Sequence, residues 1–240
     1  GFVEIQGTAE GRELSRRETD LLLNLAEKGM QRLFAEQSLA LSGKRKNAFL
    51  LATNNAHKLE EVKAILGDGY RLVTLRERGI TEEIPEEQPT IEGNALQKVR
   101  YVHARSGADC FADDTGLEVA ALGGAPGVHS ARYATEGHDF EANVRLLLHN
   151  LEGVSDRRAR FRTVVALILD GQEYTFEGIV NGTIAESPRG GEGFGYDPVF
   201  IPDGYAETFA QMPAGLKNAI SHRAIAVRRF AEFMQERREA

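Results

Sequence analysis

The feature that most constrains this chain is an apolar run ending in two adjacent carboxylates, Phe111-Ala112-Asp113-Asp114-Thr115-Gly116-Leu117. The run from Ala108 to Ala112 reads as a buried strand, and a Gly-rich segment, Leu122-Gly123-Gly124-Ala125-Pro126-Gly127, follows shortly after. The pair is therefore expected at the strand's C-terminal end, before a turn, where α/β sheets hold their chemistry. Successive strand residues point to opposite faces, so one of the two carboxylates is expected to face a site. Two like charges about 4 Å apart repel by about 4 kcal/mol at an effective dielectric near 20. A divalent cation with oxygen ligands, such as Mg²⁺, would remove that repulsion. A solvated Asp-Asp turn that ends a strand is the plainer alternative.

A second strand is predicted at residues 48–53, a continuous apolar run suited to burial on both faces. The turn Thr53-Asn54-Asn55-Ala56-His57-Lys58 follows, and Leu59, Val62, Ile65 and Leu66 give the next helix its apolar stripe. A strand, a turn and a helix N-terminus carrying Lys58 form an anion site in waiting. The chain has neither a Walker loop nor a Gly-x-Gly-x-x-Gly fingerprint. A capped helix with a surface lysine remains the alternative reading of this turn. Further on, the pattern predicts a strand over 71–75 and an acidic, Pro-broken loop with Glu82, Glu83, Glu86 and Glu87. A helix over 92–105 and a helix capped by Asp139 come next. Strands over 161–169 and 174–180 are joined at Asp170-Gly171, a hairpin signal. The loop around Phe194-Gly195-Tyr196-Asp197 offers close backbone approach and an aromatic surface for a base. The last helix begins at Ser221, so His222 and Arg223 fall in its first turn, against the helix dipole. An anionic or carbonyl-bearing ligand there would explain them.

Composition narrows the class of partner. A net charge of −7 argues against direct nucleic-acid binding, though a local cation cluster still suits a nucleotide. The lone Cys110 excludes an internal disulfide framework and fits a reducing cytosol, so a cytoplasmic location is expected. No apolar stretch reaches the length of a membrane span, and no signal peptide is recognisable. The His and Cys residues lack zinc-ligand spacing.

Residues 1–45 read differently from the rest. Ser15-Arg16-Arg17-Glu18 is a capping box, and Leu22, Leu25, Ala26, Met30 and Leu33 recur at helical spacing before a basic linker at residues 42–46. Phe2-Val3-Glu4-Ile5-Gln6-Gly7-Thr8-Ala9-Glu10-Gly11 and this helix resemble the C-terminal end of ribonuclease PH. That resemblance implies a fusion remnant and carries no catalytic residue over. The expected division is 1–45 and 46–240.

From about Ala48 to the end, the ordered motifs resemble the inosine triphosphate pyrophosphatase family. They are Thr53-Asn54-Asn55 through Lys58, Asp113-Asp114-Thr115-Gly116-Leu117, Gly124-Ala125-Pro126-Gly127 through Ser130-Ala131-Arg132-Tyr133, Phe194-Gly195-Tyr196-Asp197 and Ser221-His222-Arg223. The resemblance implies an α/β fold with a long mixed, strongly twisted sheet flanked by helices, and a homodimer. It also implies Mg²⁺-dependent hydrolysis of deaminated purine nucleoside triphosphates to monophosphate and pyrophosphate. In its terms Asp114 is the general base and a metal ligand, with Glu86 or Glu87 as a second carboxylate. Thr53, Asn54, Asn55, Ala56, His57 and Lys58 would cradle phosphate, with Lys217 as a further cation. Phe194, with Gly195 and Tyr196, would stack on the purine, while Asp197, His222 and Arg223 line the base pocket. The family usually has Ser where this chain has Thr115, and the hydroxyl is kept. A pyrophosphatase for pyrimidine or modified nucleotides, or a silent nucleotide-binding module of an RNA-processing enzyme, are the alternatives.

Overall fold

The apolar run after the linker forms β1 (Asn47–Leu51), which lies parallel to β2 (Tyr70–Thr74) on one side and to β3 (Cys110–Val119) on the other. The computed structural model describes residues 15–41, 47–67, 70–137 and 139–239. Beyond β3 every pairing is antiparallel, through β4 (Arg158–Leu169), β5 (Gln172–Ile184) and the short β6 (Phe200–Pro202). The six-stranded mixed sheet has the order β2-β1-β3-β4-β5-β6. Parallel pairing needs crossovers, and the helices that supply them cover the sheet. The expected α/β class with a mixed sheet flanked by helices is what forms.

The hairpin between β4 and β5 turns where the sequence predicted. Asp170 and Gly171 both have positive φ, 51° and 74°, the backbone a two-residue turn requires to match strand twist. The strands outrun the predicted ranges because their outer residues alternate polar and apolar rather than being continuously apolar.

In the Asn47–Ala240 unit, helix α2 (Ala56–Leu66) and helix α6 (His222–Glu239) pack over Phe49, Leu51, Phe111, Val165 and Leu167. Helix α3 (Ile91–Ser106) seals the other side, where Ala95, Val99 and Val102 meet Leu50, Cys110, Ala112 and Ala166. A third cluster joins α4 (Phe140–Asn150) to Leu117, Phe161, Phe200 and Phe209. The short α5 (Ala214–Ile220) precedes α6. Three helix starts are capped by side chains: Asp139, as predicted, accepts from the Ala142 N–H, Asn55 from Lys58 and Thr90 from Gly93. Contact between α6 and the sheet depends on Gly178 of β5. A Cβ there would sit 2.0 Å from the His222 carbonyl oxygen, so only glycine lets the helix start so close.

One expectation is corrected. Asp113 and Asp114 do not end a strand; they lie mid-ladder in β3, opposite Val165 and Val164 of β4. The pattern stopped at the carboxylates because charge usually marks a strand end, but here buried cations offset that charge. It is β1 that ends beside them, its last pair being Leu51 with Phe111. The carboxylates therefore stand just past the C-terminal end of a parallel strand, the place where α/β sheets open a crevice.

The chain divides into two units, Gly1–Lys46 and Asn47–Ala240, and the first holds α1 (Arg16–Leu41). Its predicted capping box forms: the Ser15 N–H reaches Glu18 at 2.9 Å and the Glu18 N–H reaches the Ser15 hydroxyl at 3.3 Å. Leu22, Leu25 and Met30 of its stripe are exposed. The ribonuclease PH-like residues 2–11, the linker at 42–46 and the side chain of Leu33 lie outside the described residues.

Candidate active site

Asp113 and Asp114, neighbours on β3, answer to different helices. Asp113 faces α2 and α6, where its Oδ2 lies 3.2 Å from Lys58 Nζ and 3.1 Å from Arg223 Nε. Asp114 faces α3, where its Oδ1 accepts from Lys98 Nζ at 2.7 Å. Burial alone would raise the Asp113 carboxyl, but Lys58, Arg223 and Lys98 hold it well below the usual carboxylate range. Asp114 goes the other way: burial pushes it above that range, with Glu86 adding to the rise, despite Lys98 and Lys58. Two adjacent identical groups with pKa values driven apart are the signature of one structural and one reactive carboxylate. Among the described residues, Asp113 Oδ1 is buried without a hydrogen-bond partner.

Lys98 is the hub of the reactive side. Its Nζ also donates to the Asp113 carbonyl at 3.2 Å and pairs with Glu86 at 2.6 Å. Although burial opposes the charge, Asp114 and Glu86 keep Lys98 protonated, with its pKa raised. Glu86 is drawn in from the acidic loop, where Arg132 lies 3.9 Å from its other oxygen. Glu87 is spent differently: its backbone N–H bonds Gln97, and it only borders the cavity.

A second network starts at α2. Glu61 pairs with Arg223 and, at 2.7 Å, with Lys217 Nζ, which in turn meets Asp197 at 2.6 Å. Asp197 also accepts the Phe194 backbone N–H at 2.8 Å, which fixes the Gly-rich loop against α5. Gly193 is required for this, since a Cβ there would lie 2.1 Å from the Asp197 carboxylate. The Phe194 ring stacks on His57 at 5.3 Å, with Lys217 Nζ 5.1 Å and the Arg223 guanidinium 5.7 Å from its centroid. Burial holds the His222 imidazole neutral, its pKa well below the usual value, with Arg223 and Lys217 adding to the effect.

These two networks meet around one cavity of about 660 Å³, the size of a small-molecule site. Of the predicted residues, Thr53, Asn54, Asn55 and Lys58 line it from the β1–α2 turn, and Glu86, Asp114 and Thr115 from the carboxylate side. Phe194, Gly195, Tyr196, Asp197, Lys217, His222 and Arg223 line the rest. Ala56 and His57 do not line it, and His57 touches the site only through Phe194. Lys217 lies between two carboxylates rather than standing free for phosphate. The Tyr196 hydroxyl donates to the Ser130 carbonyl, so it holds the wall together. Residues 49–233 of this chain match the Ham1 family.

The chain belongs to that family. A dITP/XTP pyrophosphatase of Porphyromonas gingivalis is 55% identical over 186 residues, covering 77% of this chain and 96% of the relative. A dITP/XTP pyrophosphatase of Bacillus subtilis is 44% identical over 190 residues, covering 78% and 96%. Among solved structures, the Staphylococcus aureus Ham1 protein superposes with a TM-score of 0.73 at 36% identity, covering 80% of this chain and all of that one. The Ham1 match leaves α1 outside its span.

Lys98, which lines the cavity, and Glu61 and Thr163, which support it from behind, are among the residues of this Ham1 site that the sequence reading did not point to. Lys98 had a visible signal, a cation on the same helical stripe as Ala95, Val99 and Val102, where only a buried partner can keep it. Glu61 precedes the buried Val62 and looks like any surface glutamate in sequence. Thr163 is one more small residue in an apolar strand, and only the cross-strand register reveals its neighbour, Thr115.

Proposed function

We propose that this Ham1 chain hydrolyses deaminated purine nucleoside triphosphates, ITP, dITP, XTP and dXTP, to the monophosphate and pyrophosphate with Mg²⁺. The observation that carries this is a single cavity in which a raised, partly compensated carboxylate, Asp114, shares its walls with the aromatic Phe194 and the donors of α6. The names of the relatives support the same substrate class. The chain is a nucleoside triphosphate pyrophosphatase.

The triphosphate binds over the N-terminus of α2, where Asn54, Asn55 and Lys58 face the cavity and the helix dipole favours anions. Asp114 takes the proton from the attacking water, and burial, which raises it above the usual carboxylate range, makes it a stronger base than an exposed aspartate. Lys98 holds Asp114 in place and keeps enough positive charge nearby for the carboxylate to reload. Among the described residues no group of three or more His, Cys, Asp or Glu converges as a metal cage. Asp114 and Glu86 do converge on one cation, Lys98 Nζ, and one or two carboxylates plus substrate phosphates is how Mg²⁺ is normally held. Bound there, the ion would neutralise developing charge on the phosphates. At the other end Phe194 stacks on the purine, while Asp197, His222 and Arg223 read its edge. A 6-oxo group presents an acceptor where adenine presents a donor, and an unpaired buried donor costs roughly 1–3 kcal/mol, or about 5- to 150-fold.

The test is pyrophosphate release from ITP, XTP, dITP, GTP, ATP and UTP with and without Mg²⁺. Preference for the deaminated purines supports the reading, preference for UTP moves the chain to the pyrimidine alternative, and no release with any substrate makes it a binding module. The same proposal makes the enzyme a cytoplasmic homodimer, and residues 1–45 a remnant of a ribonuclease PH tail that the reaction does not need. A chain beginning at Lys46 is expected to keep its ITP turnover, and loss of most of it would assign the segment to the enzyme.

A further inference from the structure

We propose that Thr163 is a positioning residue that fixes His222 with its proton on Nε2, making the imidazole a donor-only contact for the base. The proposal rests on the functional reading above for its substrate, but its structural claim stands by itself. Four side chains from β3, β4 and α6 form one line of hydrogen bonds. Arg223 Nη2 donates to Thr115 Oγ1 at 3.2 Å, Thr115 Oγ1 lies 2.7 Å from Thr163 Oγ1, and Thr163 Oγ1 lies 2.6 Å from His222 Nδ1.

What each group can do fixes one end of the line. A guanidinium only donates, so Thr115 accepts from Arg223 and has one proton to give. Two acceptors are within reach: Thr163 Oγ1 at 2.7 Å and Asp113 Oδ2 at 3.4 Å, the latter at the limit of a hydrogen bond. The proposal gives the proton to the short contact. Giving it to Asp113 instead would run the line the other way, with His222 Nδ1–H donating to Thr163, and that is the tautomer that overturns it. With the proton on the short contact, Thr163 accepts from Thr115 and gives its own proton to His222 Nδ1, so Nδ1 is bare. Burial keeps the ring neutral, which leaves its one proton on Nε2. Phe161 stacks on the imidazole at 4.5 Å and 25°, which holds the ring plane. His222 lines the cavity, and among the described residues no partner engages Nε2.

The chemical consequence is a choice of sign. An Nε2–H facing the ligand meets the carbonyl oxygen of a 6-oxo purine as donor to acceptor, and a 6-amino group as donor to donor. The opposite tautomer would reverse that preference. Thr163 is buried behind the ring and does not line the cavity, so it touches no ligand and acts only through His222.

The experiment uses the full chain, its Thr163→Val and its Thr163→Ser, each labelled with ¹⁵N in histidine. Ligand-free NMR is expected to show His222 as Nε2–H in the parent and in Thr163→Ser, and mixed or reversed in Thr163→Val. The ITP-to-ATP ratio of kcat/KM should fall about 5-fold or more in Thr163→Val and return in Thr163→Ser. An Nδ1–H tautomer in the parent overturns the proposal, and that readout needs no variant to fold. So does a Thr163→Val protein that loses rate on both substrates equally with its tautomer unchanged, since that is damage to structure alone. If the parent cleaves no nucleotide, the functional reading fails, while the tautomer still decides the claim about Thr163.

Discussion

Asp113 and Asp114 differ by one position and by which face of β3 they occupy, and that difference separates structure from chemistry. Asp113 is a fixed anion that anchors Lys58 and Arg223, whereas Asp114 is pushed upward by burial and borders the cavity. Asp114→Asn keeps the shape and removes the basicity. ITP turnover is expected to drop about 100- to 10,000-fold with nucleotide affinity largely kept. Retention of more than about a tenth of the rate would move the base elsewhere. Lys98 supplies a second check through pH. Its charge pulls the Asp114 pKa down, so Lys98→Met lets it rise, and the base must be ionised to act. The acidic limb of kcat/KM should therefore shift to higher pH in Lys98→Met, and an unmoved limb would mean that Asp114 does not control it. At this scale the sequence was legible wherever a residue type was unusual for its place, as with paired aspartates or His222-Arg223 opening a helix. It was silent on Glu61 and Thr163, whose meaning lies in distant partners, among them Arg223 and His222, 162 and 59 residues away.

Elements bring those partners together, and α6 is the decisive one. It carries His222 and Arg223 at its start, and Gly178 lets that start press against β5. Gly178→Ala forces the helix or the strand to move. The expected result is a loss of about 1–3 kcal/mol of stability, as in overpacked cores, with a larger proportional loss of ITP kcat/KM than of thermal stability. Thermal unfolding beside steady-state kinetics checks it, and an alanine variant with wild-type kinetics would show that α6 has slack. Helix starts and the Asp170-Gly171 turn were legible because capping and turn residues act locally. The full length of β3 was not, because a strand carrying two buried carboxylates violates binary patterning and is rescued only by α2, α3 and α6. Gly178 looked like any strand glycine; its reason is a carbonyl 44 positions further along the chain.

For the molecule as a whole, the linked ion pairs Lys58–Asp113–Arg223–Glu61–Lys217–Asp197 stitch the parallel half of the sheet to the C-terminal helices. Such a network ties stability to pH. The folded-state pKa of Asp113 lies below its unfolded value near 4, so its contribution is complete above about pH 4 and is lost as pH falls through the folded value. Acid unfolding below pH 4 should therefore be cooperative with loss of the site. Asp113→Asn should cost about 3–5 kcal/mol near neutrality by leaving Lys58 and Arg223 uncompensated. A variant with unchanged urea midpoint at pH 7 would rule out that role. The mid-strand position of these carboxylates also sets a schedule. Arg223 follows Asp113 by 110 residues, which at about 5–20 residues per second is on the order of 5–20 s of synthesis. Until α6 emerges, sealing β3 would leave Asp113 with Lys58 but without Arg223, so we expect the nascent chain to leave that strand open and finish its nucleotide site last. Stalled nascent chains ending before Ser221 should stay cleavable across β3, and protection there would refute this order of assembly.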